Sequence, residues 1–164
     1  MRHSTKFLYV VLCLAAICGI AATQGPVQPI AFSHKQHAGD LKLACKTCHA
    51  NPDPGELMTW PASSKCMGCH TTVATDSDEI RKLAQFVAQK QEVPWVRVYR
   101  LPTFVFWSHK VHMDWGAKCG DCHGEVATRT QLYVEKPITM AACMDCHRAN
   151  KAPNDCTFCH EQRN

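Results

Sequence analysis

The sequence has no long run of Lys or Arg. Eighteen basic and fourteen acidic residues leave a net charge of +4 spread over 164 positions, which gives no basis for a nucleic-acid face. It also lacks a Ser-His-Asp pattern, a paired-carboxylate arrangement and a Gly-rich phosphate loop, so the common hydrolytic and nucleotide-binding chemistries have no residues to carry them. One uncharged stretch, the sixteen residues from Phe7 to Ala22, falls short of the roughly 20 apolar residues of a membrane-spanning helix.

That stretch follows Arg2 and Lys6 and ends in the small residues Gly19, Ala21, Ala22 and Thr23. A positive start, an apolar middle and a small-residue end predict a secretory signal over residues 1–23, acting as an inner-membrane anchor if it stays uncleaved. The expected location is the periplasm. Cys13 and Cys18 belong to this segment. Leu12 and Ile17, which precede them, are too bulky for a lipid-anchor site.

Cysteine is abundant, twelve in all. The ten outside the signal form five copies of Cys-x-x-Cys-His, at Cys45, Cys48 and His49; Cys66, Cys69 and His70; Cys119, Cys122 and His123; Cys143, Cys146 and His147; and Cys156, Cys159 and His160. None is left over. This is the attachment signature of c-type haem. Two thiols two residues apart can add across the vinyl groups on one edge of a porphyrin, and the adjoining imidazole reaches iron as proximal ligand. Zinc sites pair distant Cys-x-x-Cys units without needing His after each. A disulfide framework gives no reason for His at the same place five times. A thioredoxin-like site needs one such motif on a strand-helix unit, and no such pattern surrounds these. The pattern predicts five covalently bound haem c groups, with the ten cysteines as attachment points and His49, His70, His123, His147 and His160 as iron ligands.

Four further histidines come as two copies of His-x-x-His, at His34 and His37 and at His109 and His112, each shortly before a Cys-x-x-Cys-His. Residues three apart on a helical turn share a face, yet their rings can diverge toward different irons. The expectation is that each supplies the sixth ligand of one haem. Four distal histidines cannot serve five irons, so one iron takes another ligand or stays open. Methionine is the usual alternative. Met140 is the favoured candidate, ahead of Met58 and Met113.

The chain repeats internally. Ser33, His34, Lys35 and His37 correspond to Ser108, His109, Lys110 and His112, and Phe32 corresponds to Trp107. Cys45 and Cys66 correspond to Cys119 and Cys143. A two-haem module over 27–74 and a three-haem module over 104–164 are expected, joined by a helix and extended linker over 75–103. Thr75–Gln91 reads as one helix, with Asp76 or Ser77 as cap, Asp78 and Glu79 in the first turn, and Ile80, Leu83, Ala84 and Val87 as its apolar stripe. Arg97 and Arg100 in the linker could face haem propionates or solvent. Pro52, Pro54, Gly55 and Pro61 interrupt the stretch between the first two motifs. The first module is too short for an ordinary apolar core. The predicted fold is mainly irregular with short α-helices and little or no β-sheet, built around stacked haems.

Phe32-x-His34-x-x-His37 followed by Cys45-x-x-Cys48-His49, and its repeat, resemble the class III cytochrome family and within it the c7 type. That resemblance implies that His34 pairs with His49 and His109 with His123, while His37 and His112 serve the haems of His70 and His147. Asp78-Glu79-Ile80-Arg81-Lys82-Leu83, Trp95-Val96-Arg97-Val98-Tyr99-Arg100-Leu101-Pro102 and Ile138-Thr139-Met140 are similar to the pentahaem cytochrome subunits of alternative complex III. This second resemblance implies electron flow from a quinol-oxidising membrane partner to a periplasmic acceptor. On both counts the expectation is an electron carrier or electron-transfer subunit rather than an enzyme, with other redox proteins as partners. The competing expectation is a small multihaem reductase with one open iron.

Overall fold

The computed structural model describes residues 25–160; the signal reading over 1–23 lies outside them. Among the described residues there is no strand. Seven short helices follow one another: α1 (Cys45–Cys48), α2 (Ser63–His70), α3 (Asp78–Ala88), α4 (His109–Trp115), α5 (Cys119–His123), α6 (Met140–Ala149) and α7 (Cys156–His160). A π-helical turn covers Lys35–Asp40 and a 3₁₀ turn covers Val126–Thr128. The mainly irregular, helix-only architecture matches the expectation. No described helix is long and apolar enough to cross a membrane.

Helix α3 is shorter than the predicted Thr75–Gln91, and the backbone gives the reason at both ends. At the start Ser77 is extended (φ −70°, ψ 135°), and at the end Lys90 adopts φ 55°, conformations that a right-handed helix cannot include. Past Ala88 the chain closes a Schellman-type cap: Gln91 N–H donates to Phe86 O (2.9 Å) and Lys90 N–H to Val87 O (3.0 Å). Ser77 holds the N-cap position without a capping bond from its side chain. Asp78 and Glu79 occupy the first turn, where carboxylates oppose the positive helix end.

The apolar cluster is small. Ile30, Leu83 and Val93 are its buried members, with Ile80, Phe86, Trp95, Met67 and Cys66 packed against them. Hydrogen bonds stitch this cluster to α2. Ser63 donates its N–H (2.6 Å) and its hydroxyl (2.8 Å) to Glu92, while its Oγ accepts the Val93 N–H (2.9 Å). Gln28 pairs with both the N–H and the C=O of Val96. A cluster of this size does not order a chain of this length by itself. The rest of the architecture is organised around the five motifs.

The two repeats clasp each other reciprocally. Lys35 N–H donates to Arg129 O (2.8 Å), and its repeat equivalent Lys110 donates to Gly55 O (2.9 Å). In the register that aligns Cys45 with Cys119, Gly55 and Arg129 are themselves equivalents. Each repeat therefore lays its His-x-x-His segment on the loop that follows the other's first motif, as an approximate two-fold requires. The approach is close. A Cβ on Gly39 would lie 2.2 Å from Ala127 O, so glycine is what lets the π-helical turn seat against Val126–Thr128.

Candidate haem-iron centres

Each Cys-x-x-Cys-His lies on a helical turn, which puts both sulfurs on one side and the histidine one residue beyond. No disulfide joins any of the ten sulfurs. Burial pushes the Cys66, Cys119, Cys122 and Cys143 thiols up, and neighbouring thiols from other motifs add to this: Cys48 beside Cys66, Cys45 beside Cys119, Cys146 beside Cys122, and Cys159 beside Cys143. The motifs are thus neighbours in the spatial order second, first, third, fourth, fifth. Cys45 and Cys119, equivalent residues of the two repeats, meet at the centre.

Four of the five motif histidines face a second imidazole. His34 and His49 have ring centroids 6.4 Å apart and planes within 4° of parallel. His109 and His123 repeat this at 6.4 Å and 3°. His37 and His70 are 6.1 Å apart at 59°, and His112 and His147 6.1 Å apart at 37°. With metal–nitrogen bonds of about 2 Å and about 1.1 Å from nitrogen to ring centre, two imidazoles gripping one iron from opposite faces have centroids about 6.2 Å apart. The four observed separations bracket that value. Side chains packed ring on ring would sit closer, as Phe32 does on His37 (4.4 Å) and Trp107 on His112 (3.9 Å). The residues present therefore fit haem iron. Among the described residues no three His, Cys, Asp or Glu side chains converge on a point, as a closed zinc site would need.

Second contacts hold the rings. Nδ1 of His49 meets Thr59 O (2.9 Å), that of His70 meets Val73 O (3.0 Å), that of His147 meets Pro153 O (2.5 Å), and that of His160 meets Phe104 O (3.3 Å). His37 turns Nδ1 to Ser33 O (2.9 Å), His112 to Ser108 O (2.8 Å), and His109 to Glu56 O (2.9 Å). A carbonyl can only accept, so at every ring except His109, whose Nδ1 also receives the Trp107 indole N–H (3.2 Å), Nδ1 carries the proton and Nε2 keeps its lone pair, the tautomer a metal-binding imidazole needs. Burial, followed by the nearby His49 and His37, lowers the His34 pKa to about 4. Burial, His109 and His49 lower that of His123. Both rings are therefore held neutral.

The fifth motif is different. Among the described residues His160 faces no second histidine; its ring neighbour is Phe104, 5.8 Å away. Phe106 N–H donates to Cys159 O (2.8 Å), so the segment after the linker packs on this motif. Met140 stands at the first position of α6, 68% exposed, behind the Thr139 cap that accepts the Ala142 N–H (3.2 Å). It belongs to none of the four ring pairs. In the linker, the Arg97 guanidinium lies 5.2 Å over the Trp60 ring, a cation–π contact, and Arg100 is exposed.

Sequence reasoning missed Thr59, Val73, Glu56 and Pro153, which contribute only a carbonyl and so leave no side-chain signal. It also missed Tyr99, whose ring lies 4.7 Å from that of His123. The repeat did carry a signal for Phe32 and Trp107, equivalent aromatics placed before equivalent histidines.

The chain resembles known cytochromes in both of its halves. Residues 105–161 match the family model for cytochrome c7 and related cytochrome c, and residues 19–94 match that for the class III cytochrome C family. The chain is also similar to the multiheme cytochrome c subunit of a menaquinone reductase from Nitratidesulfovibrio vulgaris (strain Hildenborough). The two are 30% identical over an alignment 161 positions long that covers 82% of this chain and 77% of that protein.

Proposed function

The chain belongs to the multihaem c-type cytochromes of the class III and c7 kind, which bind haem c covalently and carry electrons, and from that premise we propose that it is a pentahaem electron-transfer subunit. It works in the periplasm, exported or anchored by residues 1–23, and exchanges electrons with a quinone-handling membrane complex and a soluble redox partner. The observation that carries this reading is the set of four imidazole pairs at 6.1–6.4 Å. Doubly ligated irons have no free position for substrate, which suits carriage of electrons over catalysis.

Haem supplies the one-electron iron couple, and the chain's own residues do the rest. His49, His70, His123, His147 and His160 serve as proximal ligands, and His34, His109, His37 and His112 as sixth ligands of the first, third, second and fourth centres respectively. Carbonyl partners on Nδ1 strengthen the imidazoles as donors. Ten cysteines fix the porphyrin edges, and the nearness of thiols from different motifs favours the spatial order second, first, third, fourth, fifth. Met140 is the proposed sixth ligand at the remaining iron.

The resemblance to alternative complex III subunits favours flow from quinol to a periplasmic acceptor. The relative's name, a menaquinone reductase subunit, favours the reverse direction as a second reading. Mixing the protein, purified with its native membrane partner, with a menaquinol separates the two. Haem reduction on quinol addition supports the first. Haem that stays oxidised with quinol, but when pre-reduced is reoxidised by menaquinone, supports the second. Failure of the protein to exchange electrons with either quinone form removes the quinone-linked reading.

A further inference from the structure

The proximal histidine of the third motif is held by a different device from the others. His49, His70, His147 and His160 each turn Nδ1 to a backbone carbonyl. In the register of the repeat, the residue equivalent to Thr59, which serves His49, is Tyr133. Tyr133 lies instead under the Arg129 guanidinium, 5.0 Å from ring centre to carbon. His123 is met from the linker. The Tyr99 ring stands perpendicular to its imidazole, 4.7 Å away at 87°. The Tyr99 hydroxyl donates to His123 O (3.4 Å) and accepts the Glu135 N–H (3.1 Å).

Both roles of that hydroxyl are thereby committed, one to the ligand's own peptide and one to a fixed frame. The frame is the Glu135 carboxylate, which accepts the Glu125 N–H (3.1 Å) and pairs with Arg129 Nη2 (2.8 Å). It presses on the residue after the ligand. Gly124 has φ 71°, and a Cβ there would lie 2.4 Å from the carboxylate carbon. The peptide that carries His123 is thus confined on one side by Glu135 and on the other by Tyr99.

Despite the different supports, the outcome matches the first repeat: His123 lies within 3° of His109, as His49 lies within 4° of His34. We propose that Tyr99 is a positioning residue for His123, fixing the plane of that imidazole from the linker as the Thr59 carbonyl fixes His49 from within its own module. The orientation of the two ligand planes at a doubly ligated iron sets its electronic levels, so a linker residue governs one centre of the central pair. This rests on the reading of His123 as a proximal iron ligand.

The test uses the full-length haem-loaded protein and the variants Tyr99→Phe and Tyr99→Leu. Haem content is checked first by mass, and paramagnetic resonance of the ferric state and a redox titration are then recorded. The phenylalanine variant keeps the ring and loses both hydroxyl bonds; it should move one parallel-plane low-spin signal and one reduction potential. The leucine variant should move the same signal and the same potential further, with the remaining centres unchanged. Fully loaded variants that superimpose on the parent in both measurements overturn the proposal, as does a change spread evenly over every centre. A parent protein without parallel-plane low-spin signals would instead overturn the ligand reading beneath it.

Discussion

Replacing His34 by Ala removes one imidazole from a pair whose centroids are 6.4 Å apart, and the consequence can be counted. His34 sits at the N-cap of the π-helical turn with helical φ and ψ, a conformation alanine adopts without strain, so the backbone should hold. The polypeptide's own loss is on the order of 1–3 kcal/mol, as for other part-buried deletions. Thioether bonds keep the haem attached whatever the sixth ligand does. His49 remains anchored through Nδ1 to Thr59 O at 2.9 Å. The vacated space is walled by Phe32, whose ring lies 4.8 Å from that of His34, so a small neutral ligand meets an apolar lining. The reduced variant should bind one more carbon monoxide per chain than the parent, read from a titration of the absorbance change. In the ferric state one low-spin signal should be lost and then restored by added imidazole. His109→Ala should add one equivalent independently, and the double variant two. An unchanged carbon monoxide stoichiometry in His34→Ala would refute the assignment of that ring to iron.

Ring planes give a second expectation. The two near-parallel pairs should produce rhombic low-spin ferric signals, whereas the pairs at 59° and 37° should have larger maximum g values; four identical signals would contradict the geometry. Leu83→Ala, in the small buried cluster, should cost about 2–5 kcal/mol in denaturant unfolding and perturb the second motif, whose Cys66 touches that cluster, before any other. The Arg129 hydrogen bond to Glu135, with the Glu125 N–H, holds that carboxyl below its ordinary value near 4.5. The stabilisation is therefore complete above that ordinary value and fades as pH falls through the lowered one. Glu135→Gln should accordingly be less stable than the parent at neutral pH and approach it in acid; a gap that persists in acid would assign the effect to packing.

The motifs were legible because haem attachment is written in covalent spacing: two thiols and an imidazole within five residues can be read without knowing the fold. The proximity of His34 to His49 and of His109 to His123 came from family resemblance, and the structure brings those rings together. The sparse secondary structure was expected from punctuation by proline and from a first module too short for an ordinary apolar core. What could not be read were features that depend on backbone geometry. Lys90 ends α3 in a left-handed conformation that its side chain does not advertise. Thr59, Val73 and Pro153 act through carbonyls that every residue possesses. The reciprocal clasp between Lys35 and Arg129 and between Lys110 and Gly55 became visible only once the repeat was seen in three dimensions. Tyr99 lay in a segment read as a plain linker, because nothing local shows that its hydroxyl reaches a histidine 24 residues onward.

The mass of the intact protein from a host able to attach haem is the most direct measurement. The five motifs predict a polypeptide heavier by five haem masses, with the additions surviving denaturation and no free thiol remaining in residues 25–160. A colourless protein, or one whose ten thiols react freely with an alkylating reagent, would contradict it.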